Sequence, residues 1–125
     1  MLKQKNGNII NISSDFGIIA PDQRLYRKNF LKPVSYSVLK HGILGLTKYL
    51  ASYWGLKKIR CNVFAPGGMK NQNNILIQKK LNKLIPMNRM ANKNEYNDIV
   101  LLLASDTSSY INGAKIVADG GRSII

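Results

Sequence analysis

Three short apolar runs, each ended by serine, proline or glycine, are separated by stretches long enough to form helices. The runs occupy residues 7–14, 59–65 and 114–119. A short run of this kind, rich in β-branched residues and bounded by turn residues, is typical of a buried strand. Strands that are joined by helices pair in parallel, and right-handed crossovers place the helices on both faces of the sheet. The sequence therefore predicts an α/β fold with a doubly wound parallel sheet.

The clearest helix pattern lies between the first two runs. In residues 33–56 apolar side chains recur at steps of three and four, which predicts a helix that Ser35 caps and Gly55 ends. Residues 15–33 lack periodicity, which predicts a long loop. Loops of this length in compact domains usually have a function. Two further helices are predicted between the second and third runs, at residues 73–84 and 95–105.

A parallel sheet of only three strands has two open edges. Such sheets are normally covered and extended by neighbouring elements, so this one is expected to be part of a larger sheet. A chain of 125 residues that is 45% hydrophobic has room for one domain. We therefore expect residues 1–125 to form a single, incomplete domain that lacks strands beside the first.

Composition excludes several kinds of protein. No run of about 18 apolar residues is present, so we expect no membrane-spanning helix, no membrane partner and a cytoplasmic location. The one cysteine, Cys61, lies in an apolar alternating run and predicts a buried, inert thiol without a disulfide. The one histidine, His41, rules out a site with several histidine ligands, and we expect no metal.

The positive charge of the chain permits a different function. Nineteen basic residues against six acidic ones give a formal net charge of +13, which attracts phosphates and nucleic acids. The lysines are scattered among asparagines and isoleucines, and no recognisable nucleic-acid-binding motif accompanies them. Nucleic-acid binding is therefore an alternative that the sequence does not favour.

Tyr36 and Lys40 are four residues apart near the start of the predicted helix, so their side chains share one face. An ammonium near a phenol favours the phenolate, which suits the tyrosine for general acid or base catalysis at a carbonyl or alcohol oxygen. Tyr53 and Lys57 repeat the spacing, but they straddle the expected helix end at Gly55. The first pair instead follows the carboxyl end of the first strand, where open α/β sheets place their sites.

Four blocks occur in the order found in the short-chain dehydrogenase/reductase family. They are GNIINISS (7–14), YSVLKHG (36–42), IRCNVFAPGG (59–68) and LASDTSSYING (103–113), and they are followed by DGG at 119–121. The blocks span nearly the whole chain, which resembles the carboxy-terminal half of such a protein. The resemblance implies a truncated Rossmann-like fold and an NAD(P)-dependent oxidoreductase that interconverts a carbonyl and an alcohol.

The resemblance also implies roles for individual residues. Ser14 would hydrogen-bond the substrate oxygen, with Ser13 as the alternative, while Tyr36 would transfer the proton. Lys40 would hold the nicotinamide ribose and favour ionisation of Tyr36. The implied cofactor contacts are Tyr36, Lys40, Pro66, Gly67, Gly68 and Met69, and the implied substrate contacts are Ser14, Tyr36 and Gly68. Residues 15–33 would form an extended active-site loop and residues 70–92 a substrate flap.

The sequence departs from the family pattern in three respects. It lacks the glycine-rich turn Thr-Gly-x-x-x-Gly-x-Gly and the Asn-Ala-Gly segment, so the N–H groups that bind the dinucleotide phosphates are missing. It also lacks the helix asparagine that completes the family's proton relay. The gap between Ser14 and Tyr36 is longer than usual by roughly eight to ten residues, which is expected to shape the substrate mouth.

These departures leave several partners and alternatives open. A separate amino-terminal half could supply the phosphate loop, or the chain could be a truncated, non-catalytic remnant or interaction domain. The long loop resembles that of bacterial members encoded with sugar-modification genes, which implies a small, sugar-like substrate. The family's usual dimer contact implies a homo-oligomer that forms through the Tyr36 and Lys40 helix.

Overall fold

A computed structural model describes residues 1–71 and 75–125. Its helices and strands are β1 (Gly7–Ile12), α1 (Val34–Trp54), β2 (Ile59–Pro66), α2 (Ile75–Asn82), α3 (Asn97–Ala104) and β3 (Lys115–Ala118). Short 3-10 helices occur at Asp15–Gly17, Gln23–Leu25, Gly55–Lys57, Lys93–Tyr96, Asp106–Ser108 and Arg122–Ile124. Within the described residues, no helix is long and apolar enough to cross a membrane.

The strands form one parallel sheet in the order β1-β2-β3, which confirms the predicted fold class. β1 pairs with β2 from Gly7 opposite Ile59 to Ile12 opposite Phe64. The central strand is almost completely buried, and Cys61 has no exposed surface. Burial raises the pKa of the Cys61 thiol above its usual value, in agreement with the predicted inert thiol.

Helices cover opposite faces of the sheet, as the crossover rule predicts. Asn11 Nδ2 donates a hydrogen bond to Thr47 Oγ1 of α1 at 2.9 Å, and Asn8 Nδ2 donates to the carbonyl of Leu103 in α3 at 2.5 Å. Residues 8 and 11 are an odd number of positions apart in β1, so their side chains point to opposite faces. α1 and α3 therefore enclose the sheet between them.

Two asparagines join the 59–68 and 103–113 blocks to each other in the folded chain. Asn62 Nδ2 donates to the carbonyl of Ile111 at 2.8 Å, and Asn62 Oδ1 accepts from the N–H of Ala114 at 3.0 Å. Asn112 Oδ1 accepts from the N–H of Cys61 at 2.9 Å, while its Nδ2 donates to a carbonyl of α1 at 3.0 Å. These bonds hold the turn before β3 against β2, so that β3 starts in register.

The outer strands differ from the prediction of buried strands. β1 ends at Ile12 instead of continuing through residue 14, and its residues are half-buried except for exposed Ile12. β3 covers only Lys115–Ala118 and alternates between exposed and half-buried residues. Both are edge strands within the described part of the chain, so each lacks a neighbour on one side.

The boundaries of the predicted helices also need correction. Ser35 lies inside α1, and the capping position is occupied by Pro33, which makes no side-chain hydrogen bond there. The predicted end is confirmed, because α1 ends at Trp54 with Gly55 at the C-cap, and the chain continues in a 3-10 turn before it reverses at Lys58, whose φ is 56°. The predicted helix at 95–105 begins as a 3-10 turn before α3. The predicted helix at 73–84 is described as α2 from Ile75, and residues 73 and 74 lie outside the described residues.

Candidate active site

Two adjacent serines follow β1, and their hydroxyls have different partners. Ser13 Oγ donates a hydrogen bond to the carbonyl of Lys40 at 2.8 Å, which joins the end of β1 to α1. Ser14 Oγ donates to Asp15 Oδ1 at 2.8 Å and accepts from the N–H of Phe16 at 3.2 Å. Ser13 therefore fixes the position of the helix, whereas Ser14 belongs to a polar group at the end of the strand.

A cavity of about 180 Å³ opens beside Ser14. Its walls bring together residues that are far apart in sequence, including Ser14, Tyr26, Tyr36, Gly67, Gly68 and Arg122. Ser13 does not line this cavity, which favours Ser14 over its neighbour as the serine able to meet a ligand. Lys40, Pro66 and Met69 lie outside the lining, although each is near a residue that forms it.

Tyr36 and Lys40 lie side by side on α1, as their spacing predicts. Lys40 Nζ is 5.6 Å from the centroid of the Tyr36 ring and donates a hydrogen bond to the carbonyl of Ile12 at 2.9 Å. The Phe16 ring packs edge-on against Tyr36, with 6.3 Å between the ring centroids. The phenol is half-buried against the cavity, and the ammonium is tied to the last residue of β1.

Gly17 allows the loop after β1 (residues 13–17, the serine loop) to lie close to α1. A Cβ atom at Gly17 would lie 2.7 Å from the carbonyl oxygen of Lys40 and 2.3 Å from Ser13 Oγ. The first of these is a main-chain atom, so a larger residue would push the loop away from the helix. The glycine in the run Ser-Ser-Asp-Phe-Gly therefore sets the distance between the two serines and the Lys40 turn.

A buried ion pair supports the serine loop from the other end of the chain. Arg122 Nη1 lies 2.6 Å from Asp15 Oδ2, and each of the two side chains is only 5% exposed. The guanidinium also lies 4.8 Å from the centroid of the Phe16 ring. Because a buried carboxylate without a cation is strongly unfavourable, Arg122 compensates the charge of the group that accepts the Ser14 hydrogen bond.

Residues 66–69 follow the central strand at the same edge of the sheet. Gly67 is held by the phenol of Tyr96, which donates to its carbonyl at 3.1 Å. A Cβ atom at Gly67 would lie 2.7 Å from the Asp119 Cα, so glycine is needed here for contact with the chain after β3. Met69 pairs with Ala91 in an isolated parallel bridge and is exposed.

Tyr26 adds a second phenol to the cavity wall. Burial raises its pKa above the usual value, and Asp15 adds to this effect while Arg122 opposes it. A phenol is already protonated at neutral pH, and a raised pKa strengthens that preference. Tyr26 therefore contributes a neutral hydrogen-bonding group to the cavity lining.

Three charged residues of this region were not found by the sequence analysis. Lys32 Nζ lies 3.8 Å from the centroid of the Tyr36 ring, closer than that of Lys40. No local pattern connects Asp15 with Arg122, which is 107 residues away. Lys32 is four residues before Tyr36, but it precedes α1, so helical spacing does not explain the contact.

Comparison with known proteins decides the family. A family model described as "Enoyl-(Acyl carrier protein) reductase" matches residues 1–123. The chain belongs to the short-chain dehydrogenase/reductase family. A 3-oxoacyl-[acyl-carrier-protein] reductase of Thermotoga maritima is 35% identical over 97% of the chain and 47% of that protein. A D-threitol dehydrogenase of Mycolicibacterium smegmatis is 34% identical over 99% of the chain and 46% of that protein.

Solved structures of short-chain dehydrogenases share the fold. A short chain dehydrogenase from Leptospira borgpetersenii with bound NAD+ superposes with a TM-score of 0.88 and 31% sequence identity. That match covers 98% of this chain and 47% of the Leptospira chain. The chain thus spans about half the length of the relatives that it matches, and the predicted family and fold are confirmed over that span.

Replacing Arg122 with methionine tests the buried ion pair. The variant leaves the Asp15 carboxylate buried without its cation, and we expect a loss of about 3–5 kcal/mol in the free energy of unfolding. Urea unfolding followed by circular dichroism measures this loss. The matched control is Arg24→Met, which removes an exposed ion pair with Asp22 and should leave the unfolding midpoint unchanged. Equal midpoints for the two variants would contradict a supporting role for Arg122.

Proposed function

We propose that this chain carries the catalytic part of an NAD(P)-dependent oxidoreductase that interconverts a carbonyl and an alcohol. Ser14, Tyr36 and Lys40 are its proposed catalytic residues. The observation that carries the proposal is the position of Tyr36, which shares a cavity with Ser14 and lies beside the Lys40 ammonium. The relatives support the same reaction type, since they are named as a reductase and dehydrogenases.

Each proposed catalytic residue has a chemical task that its surroundings permit. The Tyr36 phenol donates its proton to the carbonyl oxygen in reduction and recovers it in oxidation. Ser14 hydrogen-bonds the same oxygen, for which its hydroxyl turns from Asp15 toward the cavity. The loss of that hydrogen bond is tolerated because Arg122 still compensates the Asp15 carboxylate.

The surroundings fit the nicotinamide end of a dinucleotide. Among the described residues, Lys40 Nζ makes one hydrogen bond, to the carbonyl of Ile12. An ammonium has three donors, so two are available for ribose hydroxyls. The segment that follows β2 is partly exposed and consists of Pro66, Gly67, Gly68 and Met69. It leaves β2 next to the end of β1, where Lys40 Nζ binds the carbonyl of Ile12. A bound nicotinamide would supply or accept the hydride. The proposal includes both NAD and NADP.

A small, polar, sugar-like substrate is part of the proposal. The cavity of about 180 Å³ has room for a small molecule, and its lining includes three residues that carry hydroxyl groups, Ser14, Tyr26 and Tyr36. One relative is named for a polyol, D-threitol. We assign residues 15–33 to the active-site loop and residues 70–92, of which 72–74 lie outside the described residues, to the flap. Buried Leu25 packs with Leu81, Ile85 and Met90 and so joins the two segments.

We also propose that α1 mediates self-association. Its exposed residues include Val38, Leu46 and Tyr53, which are 66%, 49% and 66% exposed. Exposed apolar side chains that group on one helix are a feature of protein interfaces. Sedimentation equilibrium should detect a dimer or larger species, and a strictly monomeric chain at high concentration would contradict the proposal.

Dinucleotide binding is proposed to require an amino-terminal half that carries the glycine-rich turn. Supplied as a second polypeptide and co-expressed, this half should form a complex that binds NADH or NADPH, whereas the 125-residue chain alone should bind much more weakly. Changes in cofactor fluorescence measure the binding. The control complex carries alanine in place of the turn glycines, which blocks the approach of the phosphates.

A complex that assembles but does not bind the dinucleotide would contradict a split enzyme. That result would favour the alternative in which the chain is a non-catalytic remnant or an interaction domain.

Tyr36→Phe tests the proton transfer in the complemented enzyme. Loss of the phenol oxygen should lower kcat by roughly 10²–10⁴-fold, which is the range for removal of a general acid. The matched control is Tyr53→Phe, since Tyr53 also precedes a lysine by four residues but is exposed and stacks on Tyr49. The absorbance of the reduced cofactor follows turnover. Similar activity in the two variants would rule out Tyr36 as the proton donor.

A further inference from the structure

Lys32 is a cation beside Tyr36 that the proposed reaction does not use. Its Nζ lies 3.8 Å from the centroid of the Tyr36 ring and 5.9 Å from that of Phe16. An ammonium at such distances is attracted to the electron-rich faces of aromatic rings. The attraction holds the Lys32 side chain over the ring of the proposed proton donor, next to the residues that line the cavity rather than among them.

The main chain of Lys32 is held by a glutamine of the same loop. Gln23 Nε2 donates to the Lys32 carbonyl at 3.2 Å, and Gln23 Oε1 accepts from the Lys32 N–H at 2.9 Å. Gln23 lies two residues before Leu25, which is buried against Leu81. The backbone that carries Lys32 is therefore attached to an anchored part of the loop, so the ammonium is positioned before any ligand binds.

The charge of Lys32 has no carboxylate partner in the described part of the chain. The ion pairs there join Arg24 to Asp22, Arg89 to Glu95 and Arg122 to Asp15. Asp15, the acidic residue that lines the cavity, is already bound by Arg122, by the Ser14 hydroxyl and by the N–H of Phe16. The Tyr36 ring is consequently flanked by two uncompensated ammonium groups, those of Lys32 and Lys40.

We propose that Lys32 determines substrate specificity by binding an anionic oxygen, of a carboxylate or a phosphate, on the substrate. A charge-assisted hydrogen bond from an ammonium spans about 2.8 Å, so the bound oxygen lies within roughly 7 Å of the Tyr36 ring centroid. An anionic group at that distance can belong to the same small molecule as the reacting oxygen. Within the proposed class of small, polar substrates, the preferred substrate is then one that also carries an acid group, either a hydroxy or oxo acid or a phosphate ester.

This inference rests on the proposed function of the Tyr36 site, but its test requires neither a dinucleotide nor turnover. The 125-residue chain is titrated with sodium acetate and, separately, with inorganic phosphate, while sodium chloride keeps the ionic strength constant. NMR follows the ring signals of Tyr36. Saturable shifts are expected in the wild-type chain, and Lys32→Arg should retain them because the cation is kept.

Two matched variants distinguish anion binding by Lys32 from attraction by the net positive charge of the chain. In Lys32→Gln the apparent affinity for the anion should fall about tenfold or more, as expected for loss of a charged hydrogen bond. Lys28→Gln removes the same charge from an exposed residue of the same loop and should keep the wild-type affinity. Saturation by only one of the two anions identifies that chemistry, and saturation by both supports a general oxyanion site.

Two results would overturn the inference. One is an unchanged affinity in Lys32→Gln, and the other is the absence of saturable shifts with both anions. Either result leaves dinucleotide binding by the complemented enzyme unaffected. Conversely, a failed complementation leaves the anion titration valid, so the two proposals fail separately.

Discussion

The parallel pairing of β1 with β2 is the constraint on which the rest of the structure depends. Because Ile12 lies opposite Phe64, both strands end at the same edge of the sheet. The chain that leaves β1 there begins with two serines, and the chain that leaves β2 begins with two glycines. Ser13 then binds the carbonyl of Lys40, which brings the first turns of α1 to that edge. A shift of the register would separate Ser14 from the glycines and from the helix.

Contacts between residues that are far apart in sequence add charged groups to the site, which strand pairing alone does not do. The ion pair between Asp15 and Arg122 connects the serine loop to the last residues of the chain, and it compensates a carboxylate that accepts the Ser14 hydrogen bond. The 15–33 loop brings Lys32 Nζ to 3.8 Å from the centroid of the Tyr36 ring. The ion pair thus acts on Ser14 and Lys32 acts on Tyr36, so the carboxyl terminus and the long loop each contribute to the surroundings of one cavity residue.

The sequence was sufficient to predict the elements whose signals are local. Periodic apolar positions predicted α1, β-branched runs predicted the three strands, and the helical spacing of Tyr36 and Lys40 predicted that they share a face. Side chains joined by long-range contacts were not predictable in this way. Arg122 follows two glycines at the end of the chain, and only the folded structure brings it to Asp15. The start of α1 was misjudged, because Ser35 lies inside the helix and Pro33 occupies the capping position.

The central claim is that Tyr36 and Lys40 meet a nicotinamide dinucleotide at the carboxyl edge of this sheet. A crystal structure of the chain with an amino-terminal half and NAD(P) tests that claim most directly. We predict that the Lys40 ammonium binds the ribose hydroxyls and that the nicotinamide lies beside residues 66–69, with the Tyr36 phenol facing the cavity. A dinucleotide bound elsewhere, with Lys40 away from the ribose, would contradict the claim.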